Sequence, residues 1–154
     1  MKEIKILFVC HGNICRSPMA ESIMTHLAEV EGLPIKVASA ATSSEAVGWD
    51  THTMTKRVLK EKGIPLVPHI SVKIKKEDYY KYDFLIGMDS ANVRNMQRIM
   101  DGDPKNKISK LLDFTTERRD IDDPWYTDKY HVTYKDIMYG CTELLEYLKT
   151  NYSS

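Results

Sequence analysis

The run Val9-Cys10-His11-Gly12-Asn13-Ile14-Cys15-Arg16-Ser17-Pro18 holds the residues of this chain best suited to chemistry. A cysteine, five intervening residues and then Arg16-Ser17 allow a short loop to curl around one tetrahedral oxyanion. Residues His11, Gly12, Asn13, Ile14, Cys15, Arg16 and Ser17 would bind it. Backbone N–H groups of the loop and of a first helical turn point inward, and the helix dipole adds partial positive charge. Arg16 closes the ring with a planar two-pronged donor. Cys10 sits at the bottom, where the donors that hold a phosphate also stabilise a thiolate. Such a loop binds the phosphate and activates the nucleophile that attacks it.

The flanking segments fit that placement. Ile4 to Val9 is a nearly continuous apolar run, as expected of a strand buried on both faces. Pro18 suits a first helical turn, and Met19, Ile23, Met24, Leu27 and Val30 then recur at helical spacing up to Gly32. Ile35 to Ser39 reads as a second strand and Thr42 to Trp49 as a loop. Met54, Val58 and Leu59 mark a helix closed by Gly63 and Pro65. Asp83 to Met88 reads as a third strand. Asp89 or Ser90 caps the next helix, with Val93, Met96, Ile99 and Met100 inward. Lys107 to Leu112 is a weaker fourth strand, and Thr115 to Lys129 a surface loop. The last helix carries Ile137, Cys141, Leu144, Leu145 and Leu148 on one face. Alternating strands and helices predict a parallel sheet with right-handed crossovers, whose ligands bind beyond the carboxyl ends of the strands. Cys10 stands at one such end.

The 154 residues suffice for one domain, and no linker or repeat divides them, so residues 1–154 are expected to form a single unit. Twenty-two basic residues balance twenty-two acidic ones, which gives no general pull toward nucleic acid or an anionic membrane. Three cysteines without dense spacing argue against a secreted disulfide framework. With no signal peptide or membrane span to be read, the expected location is the cytoplasm.

The segment V-C-H-G-N-I-C-R-S-P-M-A-E, Val9 to Glu21, resembles the signature of the low-molecular-weight protein tyrosine phosphatases. Asp122-Asp123-Pro124-Trp125-Tyr126 is similar to that family's D-P-Y-Y segment, and Ser39-Ala40-Ala41, His69 and Met88-Asp89 fall where the family has counterparts. The resemblance implies an α/β fold: a single domain with a four-stranded parallel sheet flanked by helices, in the three-layer flavodoxin-like or Rossmann-like manner. It implies a two-step phosphatase mechanism without cofactor or metal, acting on a tyrosine-phosphorylated protein or peptide. Phosphate and vanadate would be inhibitory ligands, and a monomer is the expected state.

The catalytic set would be Cys10 as nucleophile, Arg16 as phosphate clamp and Asp123 as general acid and base. Asp123 is the family position before proline, and Pro124 restricts it to extended conformations; Asp122 is its competitor. Ser17 can donate a hydrogen bond to Cys10. Asn13 suits a left-handed loop position, and by resemblance it joins a supporting network with Ser17, Ser39 and His69. Asp89 is either a plain helix cap or a support of the site.

Trp125 and Tyr126 would form one wall of a slot deep enough for phosphotyrosine. On the opposite side the family usually has an aromatic residue before Val47-Gly48, where this chain has Glu45. Either Trp49 supplies that wall, or the side is open and acidic. His11 is a second departure, at a position commonly bulky and apolar. Ile14 favours an aromatic ring, since relatives that resemble arginine phosphatases carry threonine there. Cys15 is either a small buried hydrophobe or a partner that captures oxidised Cys10. Cys141 reads as core. The Cys10/Cys15 pair lacks zinc-ligand spacing. Arsenate reduction on this scaffold needs further cysteines, and none lies between Cys15 and Cys141. A non-catalytic phosphate-binding module would normally have lost one of Cys10, Arg16, Ser17 and Asp123.

Overall fold

The computed structural model describes residues 1–152; Ser153 and Ser154, which the expected domain includes, lie outside the described residues. Four strands, β1 (Ile4–Cys10), β2 (Ile35–Ala41), β3 (Phe84–Gly87) and β4 (Ile108–Lys110), form one sheet in the order β2-β1-β3-β4. All three pairings are parallel. Strand β1 therefore lies inside the sheet, and its register carries Cys10 level with Ala41 of β2.

Six helices complete the described chain: α1 (Arg16–Val30), α2 (Thr53–Glu61), α3 (Asp78–Lys81), α4 (Ser90–Ile99), α5 (Pro124–Thr127) and α6 (Tyr130–Tyr152). Alternation along β1 divides the core. Ile4, Ile6, Phe8 and Cys10 pack into the larger apolar cluster, with Met19, Ile23 and Met24 of α1 and Ile137, Cys141 and Leu144 of α6. Leu7 and Val9 point the other way, to Met96 and Met100 with Tyr79 and Ile74. Both faces are covered, which explains why β1 reads as an unbroken apolar run. No helix among the described residues is long and apolar enough to cross a membrane.

The expected four-stranded α/β architecture holds, with local corrections. Val30 is 71% exposed. The buried stripe of α1 runs through Ala20, Met24 and Ala28, and at about 100° per residue Val30 lies roughly opposite Ala28. The supposed loop from Thr115 to Lys129 contains the single-turn α5, capped by Asp123 with Pro124 at its first position. Helix α3 is also a single turn, too short to show a period in the sequence. Strand β4 stops at Lys110, and Leu111–Phe114 forms a 3-10 turn.

Two close approaches fix the frame. A Cβ on Gly140 of α6 would sit 2.5 Å from Leu111 Cγ, so glycine lets that helix settle against the 3-10 turn. A Cβ on Gly87, the last residue of β3, would sit 2.8 Å from Asn92 Cβ. The space at Gly87 lets Asn92 Oδ1 accept hydrogen bonds from the N–H groups of Met88 (2.9 Å) and Asp89 (3.1 Å). That contact orients Asp89 toward the end of β1.

Candidate active site

The loop between β1 and α1 is held from outside by its carbonyls. Thr42 N–H donates to the Cys10 carbonyl and Ser43 N–H and Oγ to that of His11. Ser71 Oγ donates to the Gly12 carbonyl (2.8 Å) and His52 N–H to that of Ile14 (2.8 Å). Every peptide here is trans, so each carbonyl and the following N–H point in opposite directions. Carbonyls drawn outward turn the N–H groups of His11, Gly12, Asn13 and Cys15 toward the inside of the loop. Asn13 N–H shows the result, 3.3 Å from Cys10 Sγ.

Asn13 has φ +59°, the left-handed conformation its residue type suggested, and it is fully buried. Its amide has four partners. Nδ2 donates to Ser17 Oγ (2.8 Å) and Ser39 Oγ (3.0 Å). Oδ1 accepts from His69 Nε2 (2.6 Å) and Val72 N–H (3.2 Å). The Ser39 hydroxyl in turn donates to Glu21 Oε1 (2.6 Å). This order of donors fixes the direction at Ser17. Its oxygen already accepts from Asn13, so its proton is free for Cys10 Sγ, 3.0 Å away. The Asn13, Ser17, Ser39 and His69 network is thus assembled, with Glu21 as a member no spacing rule had named. Burial raises the Glu21 carboxyl above its ordinary range, although the Ser39 hydrogen bond works against the rise. Burial lowers His69. Both groups are therefore pushed toward their neutral forms.

Arg16 is 2% exposed. Nη1 donates to Asp89 Oδ2 (2.8 Å) and to the Ile121 carbonyl (2.8 Å), and Nη2 lies 3.5 Å from Asp123 Oδ2. Burial opposes its charge, but Cys10, Asp123 and Asp89 outweigh that and shift it upward. Asp89 combines the two roles left open for it. Oδ1 caps α4 by accepting Asn92 N–H (2.8 Å), while Oδ2 grips Arg16. Asp123 is extended (φ −79°, ψ 116°), as the following proline requires, and its Oδ1 accepts Trp125 N–H (3.0 Å).

Cys10, Arg16 and Asp123 line one slot. Asp122 is exposed and does not line it. Trp125 and Tyr126 line it next in sequence to Asp123, and Trp49, Glu45 and Ala46 line it too. Trp49 and Glu45, the two residues named for the second wall, both line the slot. Glu45 is not free: its Oε2 lies 2.8 Å from His11 Nε2, so the two departures from the family pattern pair with each other. His11, Gly12, Asn13, Ile14 and Cys15 also line the slot, while Ser17, Ser39 and His69 support it from behind.

Cys15 is buried, 3.8 Å from the Tyr130 hydroxyl, and its thiol is pushed up to about 12, chiefly by burial. Cys141 is fully buried in the core, which raises its thiol further. Among the described residues no group of three or more His, Cys, Asp or Glu is placed to hold a metal ion. The arrangement can hold a tetrahedral anion against a sulfur, neutralise it with a fixed guanidinium and offer a carboxyl at the mouth.

Residues 5–154 match the model of the low molecular weight phosphotyrosine protein phosphatase family. The low molecular weight protein-tyrosine-phosphatase PtpA of Staphylococcus aureus is 35% identical over 147 residues, covering 94% of each chain. The crystal structure of YfkJ from Bacillus subtilis superposes with a TM-score of 0.95 at 32% identity, over 99% of each chain. A Drosophila arginine phosphatase superposes with a TM-score of 0.87 at 30% identity, over 96% of this chain and 99% of its own. The chain belongs to the low molecular weight phosphotyrosine protein phosphatase family.

Proposed function

We propose that the protein hydrolyses phosphotyrosine in proteins or peptides, and simple aryl phosphates, through a phosphocysteine intermediate. The carrying observation is the slot itself. A sulfur faced by Ser17 Oγ and Asn13 N–H shares one opening with a buried arginine and a carboxyl from a distant segment.

In the first step the Cys10 thiolate attacks phosphorus in line with the ester oxygen. The P–S bond forms as the P–O bond to the phenol breaks. Asp123 gives its proton to the leaving phenolate. An acid in this position protonates the leaving oxygen as the P–O bond breaks. In the second step the Asp123 carboxylate takes a proton from water. The resulting hydroxide character attacks phosphorus, breaks the P–S bond and releases phosphate and thiolate. Arg16 and the inward N–H groups hold the equatorial oxygens throughout. Ser17 stabilises sulfur both as nucleophile and as leaving group.

Trp49, Trp125 and Tyr126 around the opening favour a flat ring, and Ile14 adds hydrocarbon to the lining. These contacts support phosphotyrosine over phosphoarginine. A panel of phosphotyrosine, phosphoserine and phosphoarginine peptides tests the choice. Preferred turnover of phosphoarginine would overturn the substrate, and a trapped label on any atom but Cys10 Sγ would overturn the mechanism.

A further inference from the structure

His52 has no part in the motifs or in the proposed chemistry, yet it joins four pieces of the slot's frame. Its backbone N–H holds the Ile14 carbonyl of the phosphate loop (2.8 Å). Its Nδ1 accepts Met54 N–H (3.1 Å) and so caps α2. With Nδ1 accepting, the neutral ring carries its proton on Nε2, which lies 3.5 Å from the Tyr130 hydroxyl. The ring stacks on Tyr130 of α6, centroids 5.2 Å apart and planes 19° apart. It meets Trp125 at 5.9 Å and 89°, a perpendicular contact within the range where aromatic pairs attract.

Trp125 has few other restraints. It is 54% exposed and lies on the four-residue α5. His52 is its one aromatic ring partner among the described residues. One residue thus holds the cradle by its backbone and the wall by its side chain, with Tyr130 as backing for the ring. An indole left without that contact would move among rotamers, and a ring bound beside it would have to order it first.

We propose that His52 is a positioning residue that fixes the Trp125 wall relative to the phosphate loop, so that it governs affinity for the aromatic part of a ligand and leaves the anion cradle alone. The proposal deepens the aryl phosphate reading above and rests on it.

Two competitive inhibitors separate the two functions of the slot. Inorganic phosphate fills the cradle alone, while benzylphosphonate adds a ring between the walls. The decisive variant is His52→Asn, because asparagine is itself a strong helix N-cap and the backbone N–H to Ile14 is retained. It should weaken benzylphosphonate inhibition by about three- to ten-fold and leave phosphate inhibition unchanged. His52→Phe, which keeps a ring but loses the cap, should retain benzylphosphonate affinity while lowering Tm. In a Trp125→Ala background, His52→Asn should have no further effect on benzylphosphonate.

Equal weakening of both inhibitors would overturn the proposal, since His52 would then support the loop as a whole. Unchanged benzylphosphonate affinity in His52→Asn, or an additive loss in the Trp125→Ala background, would also overturn it. Failure of benzylphosphonate to compete in the unaltered protein would bring down the aryl phosphate reading instead, and the proposal with it.

Discussion

The floor and the rim of the slot are built on opposite principles. On the floor Asn13 and Arg16, and Ser17 behind it, are at most 2% exposed. The Asn13 amide has a partner for each of its hydrogen-bonding positions, and Arg16 is held by two carboxylates and a carbonyl. On the rim Trp49, Trp125 and Tyr126 are 53%, 54% and 81% exposed. The His11–Glu45 pair bridges two loops, with the His11 side chain about half exposed and that of Glu45 largely in water. Buried polar groups with full sets of partners tolerate one geometry, because an orphaned partner costs about 1–3 kcal/mol. Exposed walls can shift at little cost. The floor is therefore suited to a reaction and the rim to a choice of substrate.

The sharpest break of this comparison is at Cys10. Cys10→Ser should lower turnover of p-nitrophenyl phosphate by at least about 10⁴-fold, since no neighbouring group replaces the nucleophile. Phosphate should still bind in isothermal titration, because the cradle is untouched. Turnover near the unaltered rate would remove Cys10 from the mechanism.

Asp123 comes next, standing where floor and rim meet. Asp123→Ala should reduce kcat by about 10²–10⁴-fold on phenyl phosphate, which needs its leaving group protonated. The loss should shrink on p-nitrophenyl phosphate, whose phenolate leaves unaided. Asp122→Ala should change neither. If Asp122→Ala gives the leaving-group dependence instead, the acid is the neighbouring residue.

The floor and the rim also differed in how far the sequence disclosed them. The cradle is contiguous, so the spacing of Cys10, Asn13, Arg16 and Ser17 already carried its geometry. The family resemblance added Ser39 and His69 as partners. The sequence allows Asp89 two roles, and the two oxygens of its carboxylate serve one each. Glu21 carries a signal outside the motifs: it is a carboxyl inside the buried run Met19 to Met24, and such a group needs partners. The props that turn the loop carbonyls outward, Ser43, His52 and Ser71, come from segments that only the folded chain brings together. The rim has the same problem. Whether Glu45 or Trp49 faced the ligand depended on loop shape, for which the sequence has no period. In the fold, β1 is legible as an unbroken apolar run and α6 by the helical spacing of its apolar residues. The single turns α3 and α5 are too short to show either, and Val30 was misplaced because the stripe of α1 runs through Ala20, Met24 and Ala28.

A smaller effect is expected at the rim pair. Glu45→Gln removes the charge next to His11 but keeps a hydrogen-bonding oxygen. The pair is exposed, so the change in kcat/KM should be no more than about five-fold on any one peptide. It should differ in sign between phosphotyrosine peptides with lysine and with glutamate beside the phosphotyrosine, improving the latter. The same factor on both peptides would show that Glu45 does not discriminate by charge.

The smallest effect concerns the support behind the floor. Burial raises Glu21, opposed by the Ser39 hydrogen bond, from an ordinary value of 4.5. The folded protein therefore holds that proton more tightly than the unfolded chain does. Its contribution to stability is complete below the unfolded value and is lost as pH rises through the folded value. His69 acts in the opposite direction. Burial lowers it from 6.5, so its contribution is complete above that value and falls as pH drops below it. Glutamine at position 21 mimics the protonated carboxyl, since its carbonyl oxygen can still accept from Ser39. The Tm of Glu21→Gln relative to the unaltered protein should therefore rise as pH is increased from 4 toward 7. A difference that stays flat across this range would mean that Glu21 does not titrate there. Kinetics should follow the same logic only weakly, because Glu21 reaches Cys10 through Ser39, Asn13 and Ser17 in turn.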